Sequence, residues 1–86
     1  MAKHLINYDL CTPGKNYDDL IEAIKAYEGW AKICKSCWAV STNSTDTQIC
    51  NNLKQYMDSN DVLFVCPFND WASLNLSKAV VDWLNK

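Results

Sequence analysis

The run His4-Leu5-Ile6-Asn7-Tyr8-Asp9-Leu10 is mostly apolar, carries a carboxylate near its end, and is followed at once by Cys11-Thr12-Pro13-Gly14-Lys15. That pattern predicts a first strand ending at a loop. The period then changes. Tyr17, Leu20, Ile21, Ile24 and Tyr27 recur at helical spacing, with Asn16 placed to cap, Asp18 and Asp19 suited to the positive end of the dipole, and Gly29 as the stop. From Trp30 to Thr42 the chain is rich in aromatic, β-branched and Cys residues without helical spacing. It is long for one strand, so it predicts two, or one bent by a bulge near Lys35-Ser36.

Thr45-x-x-Gln48 has the spacing of a capping box, and Ile49, Cys50, Leu53, Tyr56 and Met57 follow on one face. A second helix from Asp46 to about Asp58 is expected. After the turn Ser59-Asn60-Asp61, the continuous apolar run Val62-Leu63-Phe64-Val65-Cys66, closed by Pro67, reads as a strand buried on both faces. Asn69, Ser73 and Asn75 can each start a helix, and Leu76, Val80, Trp83 and Leu84 make the stripe of a short final one. The order β-α-β-β-α-β with an appended C-terminal helix predicts one α+β domain, residues 1–86, on the ferredoxin-like plan. The helices of that plan cover one sheet face, so the other meets solvent, the final helix or a second subunit.

Composition sharpens this picture. With four Trp, four Tyr and two Phe in 86 residues, some aromatics are expected at an oligomer interface or a ligand site, or half-exposed on the sheet. Net charge is −2, and the cations are eight Lys without any Arg, which argues against a dedicated grip on long duplexes. Five Cys, with no apolar leader, are expected as reduced thiols in a cytoplasmic protein, mostly buried as small apolar groups. Cys34-Lys35-Ser36-Cys37 has CxxC spacing, but within a single strand residues three apart point to opposite faces, which favours structural cysteines over metal or redox use. No apolar run is long enough to span a membrane. Asp9, at the carboxyl end of the first strand, is open to two readings: a turn residue bonding nearby amides, or a group placed for chemistry.

The strand ending in Tyr8-Asp9, the helix closed by Gly29, and Lys32-Ile33-Cys34-Lys35-Ser36-Cys37-Trp38 together resemble the Cas-two family of CRISPR adaptation proteins and its VapD-type and stand-alone relatives. That family's second strand reads basic, apolar, polar, any, Ser, apolar, aromatic. The resemblance covers about the first three quarters of the chain. It implies a symmetric dimer of ferredoxin-like subunits acting on nucleic acid. In some members paired first-strand aspartates hold a divalent metal for cutting RNA or DNA, and Asp9 is the matching position. On this reading Asp9 would hold Mg²⁺, with Asn7 and Ser36 as polar neighbours, Lys15, Lys32 and Lys35 on phosphate, and Trp38 beside them. Three departures argue for a smaller anionic ligand: one cation in the loop after the first strand, Lys32 in place of Arg, and a helical C-terminal segment. A second expectation is therefore a non-catalytic module that sequesters a nucleotide signal or a partner protein, as a phage anti-defence protein does, with Trp or Tyr stacking on a base. The expected partners are a second copy of the chain and a short nucleic acid or nucleotide.

Overall fold

The computed structural model describes residues 1–12 and 16–86. It has seven elements: β1 (Ala2–Asp9), α1 (Asp18–Lys25), β2 (Gly29–Cys34), β3 (Cys37–Thr42), α2 (Asp46–Lys54), β4 (Val62–Pro67) and α3 (Lys78–Leu84). The sheet is four-stranded in the order β2-β3-β1-β4, with every neighbouring pair antiparallel. Each strand–helix–strand crossover thus straddles one strand, as the ferredoxin-like plan requires.

One face of the sheet carries α1 and α2. Ile6 and Tyr8 of β1, Trp38 and Val40 of β3, Leu20 and Ile24 of α1, and Ile49 and Leu53 of α2 form the buried core there. Each such side chain taken from water contributes about 1.5–3 kcal/mol. Inside this apolar layer Trp38 Nε1–H donates to Tyr8 Oη at 3.0 Å, so neither polar atom is left without a partner. His4 lies on the same face, and its Nδ1 meets Asp46 Oδ1 at 2.5 Å. The α2 capping box is complete: Thr45 Oγ1 accepts from Gln48 N–H, and the Gln48 side chain accepts from Thr45 N–H. At α1, Asn16 Oδ1 accepts from Asp18 N–H at 2.8 Å.

Several expectations are corrected. Gly29 does not stop α1, which ends at Lys25; it opens β2, where a Cβ would lie 3.2 Å from Ser41 Cβ and 3.4 Å from the Trp83 indole. The glycine is there because α3 packs onto it. α2 ends at Lys54, short of Asp58, and α3 is capped by Ser77 rather than by Asn69, Ser73 or Asn75. The run 30–42 does make two strands, as expected, in a hairpin that turns at Lys35-Ser36 with a register irregularity between Lys32 and Cys34. β4 is not buried on both faces. It is an edge strand, so Leu63 and Val65 pack on the core while Val62 and Phe64 are 56% and 60% exposed. None of the five cysteines is fully buried: Cys11 and Cys34 are exposed, and Cys37, Cys50 and Cys66 are half-buried.

α3 and the segment before it cover only the β2 side of the second sheet face. Lys3 Nζ donates to the carbonyls of Leu84 (2.9 Å) and Lys86 (3.2 Å), holding the C-terminal end of α3, where a cation also meets the negative end of the helix dipole. Among the described residues no helix is long and apolar enough to cross a membrane.

Candidate functional site

The residues singled out from the sequence do not converge. Asn7 pairs with Cys37 on one side and Phe64 on the other, and Asp9 pairs with Val62, so both lie on the sheet face away from α1 and α2. Lys32 pairs with Trp38 on the opposite face, and its Nζ stands 5.5 Å from the centre of the Trp38 ring. Lys35 and Ser36 form the hairpin turn, where the Ser36 carbonyl accepts from Tyr8 N–H at 3.0 Å. Trp38 is 2% exposed and offers no face to a ligand, because it is part of the core. Lys15 lies outside the described residues.

The loop leaving β1 is tied to the turn before β4 by carboxylates. Asp61 accepts from Cys11 N–H at 2.8 Å and from the Tyr17 hydroxyl at 2.9 Å, and it also accepts from Asp58 N–H at 2.8 Å. Thr12 Oγ1 donates to Asp58 at 2.5 Å. The Tyr17 hydroxyl is held above its ordinary pKa, first by burial; Thr12 pulls it down, and the Asp61 hydrogen bond and charge push it up. These aspartates organise the loop. Asp9 itself is exposed, and among the described residues no three His, Cys, Asp or Glu side chains are grouped to hold a metal ion.

A different constellation is assembled at the free edge of β2. Trp30 and Lys32 lie on the α1 face of this edge strand, and Trp30 keeps 40% of its surface exposed. Lys25, in the last turn of α1, places its Nζ 5.3 Å from the centre of the Trp30 ring. Behind it, the Trp30 and Trp38 rings are 5.6 Å apart and tilted by 55°. A groove of about 330 Å³ runs over the strand edge, lined by Trp30, Ala31 and Lys32 on one side and by Ala79, Val80 and Trp83 of α3 on the other. It combines indole faces, the Lys32 side chain and an apolar floor, with Lys25 over the Trp30 ring beside it. Lys32 stood out in the sequence; Lys25 did not, because it precedes the strand in a helix turn and only the chain reversal brings it back.

Comparison of the chain with family models, curated proteins and solved structures returns no match.

Proposed function

We propose that this chain is a Cas-two-like homodimeric module that binds a short nucleic acid or nucleotide without cutting it. The observation that carries this reading is Trp30, exposed at a strand edge, with Lys25 over its ring and Lys32 lining the same groove. Every base has a π-face, so one exposed indole with adjacent ammonium groups suits base stacking beside a phosphate. Lys25 sits over the ring and can swing to the phosphate when a base takes its place. The charge balance fits a short ligand: a net −2 chain without Arg neutralises few phosphates.

Anisotropy titrations of labelled mononucleotides, short single strands and a duplex, each at low and physiological salt, test it. Short ligands should bind with a shallow salt dependence, and Trp30→Ala should remove about 1–3 kcal/mol of affinity. Lys32→Ala should flatten the salt dependence further. Duplex binding that is tight at physiological salt, or short-strand binding that ignores Trp30→Ala, would overturn the reading.

A second reading is a nuclease. It is supported by the position of Asp9 on the same sheet face as the exposed Val62 and Phe64, since a twofold axis through that patch would bring two Asp9 carboxylates together across a dimer. Divalent-metal-dependent cleavage that is abolished by Asp9→Asn and by EDTA would establish it.

A further inference from the structure

The Cys34–Cys37 pair acquires a new meaning once the hairpin is in view. The two residues are not three apart on one strand; they are register partners on neighbouring strands, either side of the Lys35-Ser36 turn. Directly opposed residues in an antiparallel pair have Cα atoms about 4.5–5.5 Å apart, inside the range of about 4.4–6.8 Å that a disulfide spans. The irregularity between Lys32 and Cys34 completes the arrangement. Lys32 pairs with Trp38 and Cys34 with Cys37, so Ile33 is an extra residue on β2. A bulge of this kind re-aims the side chain that follows it. Plain alternation would leave Cys34 on the same face as Lys32; instead Ile33 and Cys34 both line a 440 Å³ cavity with Leu5 and Trp71, on the face to which Cys37 points.

We infer that Cys34 and Cys37 form a dithiol that low-molecular-weight disulfides oxidise to an intramolecular disulfide across the hairpin tip. Cys34 is exposed and Cys37 half-buried, which assigns the order of events. The Cys37 thiol is pushed up to about 11, first by burial and then by the neighbouring Cys34, so at neutral pH it holds its proton. Cys34 is the group that an external disulfide reaches. As its thiolate, with its proton lost to solvent, it attacks one sulfur of glutathione disulfide. The glutathione S–S bond breaks, a Cys34–glutathione bond forms, and the first glutathione leaves as a thiolate that takes up a proton. The Cys37 sulfur then attacks the Cys34 sulfur, and its proton ends on the second glutathione. Two protein thiols are oxidised and one glutathione disulfide is reduced to two thiols.

The neighbouring Cys66 is a poor competitor. It pairs with Leu5 across β4 and β1, while Cys37 pairs with Asn7 across β3 and β1, so β1 stands between the two cysteines. Two strand spacings of about 4.8 Å each put them beyond the span of a disulfide.

The test is to incubate the reduced 86-residue chain with glutathione disulfide, block the remaining thiols by alkylation, and map each cysteine by mass spectrometry. Wild type should lose Cys34 and Cys37 together, with a mass lower by two hydrogens and no glutathione retained on either. Cys37→Ser, which removes the second step, should instead accumulate glutathione on Cys34. Cys66→Ser should close as wild type does. The inference is overturned if glutathione stays on Cys34 in wild type, if both cysteines remain alkylated after exposed Cys11 has been fully converted, or if Cys37 pairs with Cys66. It is equally overturned if the urea-unfolded chain closes the same pair as fast, because the hairpin would then contribute nothing.

Discussion

Tyr8 and Trp38 show how one donor and one acceptor can settle the interior of a small domain. Each is buried, and the Trp38 indole N–H has the Tyr8 hydroxyl as its acceptor at 3.0 Å. Tyr8→Phe keeps the ring and strands the indole N–H, so it should lower stability by about 1–3 kcal/mol, more than the small change in volume would suggest. Urea denaturation followed by circular dichroism would measure this; an unchanged midpoint would mean that the N–H finds another acceptor. The same residue marks the limit of reading function from a strand. Trp38 stands in Cys37-Trp38-Ala39-Val40, where both alternating sets are apolar enough to face a core, and nothing in that spacing says which face the helices take. The burial of Trp38 and the exposure of Trp30 follow from where their strands sit, one beneath the helices and one at the edge.

At the level of elements, local chemistry was legible and neighbour relations were not. The Thr45-x-x-Gln48 box caps α2 as its spacing announces, because both of its hydrogen bonds are made within four residues. The helical stripe of the C-terminal segment likewise becomes α3. Gly29 carried a plausible local meaning and turned out to have a tertiary one, the close approach of Trp83. Gly29→Val should therefore cost about 1–3 kcal/mol by overpacking and loosen α3 selectively, with Gly29→Ala milder. Hydrogen exchange should show faster amides in 78–84 than in α2; uniform acceleration across the domain would mean instead that β2 itself had failed. The apolar run of β4 misled for a related reason. Val62 and Phe64 would belong to a doubly covered strand in the middle of a sheet, but β4 lies at the edge, and α3 covers the β2 side of that face instead. The bulge at Ile33 had no signal in residue type, and without it the CxxC spacing points away from the pairing that the hairpin makes.

For the whole molecule, the uncovered part of the sheet is the feature that asks for a partner. Val62 and Phe64 project beside Asn7 and Asp9 from a domain that is otherwise covered by helices on its other face. A second copy seated on this patch gives an isologous contact, the commonest route to a dimer. Sedimentation at micromolar concentration should report twice the 9.8 kDa chain mass for wild type, and Phe64→Lys should return it to the single-chain mass with its circular dichroism intact. A wild-type chain that sediments as one copy would refute the dimer and, with it, the paired-carboxylate reading of Asp9, while leaving the Trp30 groove untouched.

The strand order has a consequence for how the chain comes into being. β1 lies in the interior of the sheet, yet its partners β3 and β4 begin at Cys37 and Val62. On a ribosome, where domains are made at about 5–20 residues per second, the first strand emerges with Ile6 and Tyr8 bare and must wait seconds for the hairpin that flanks it. The other flank arrives only when most of the domain has been made. Nucleation of this sheet is thus a late and long-range event, and a chain arrested before Val62 would present one whole side of its central strand to any extended segment nearby.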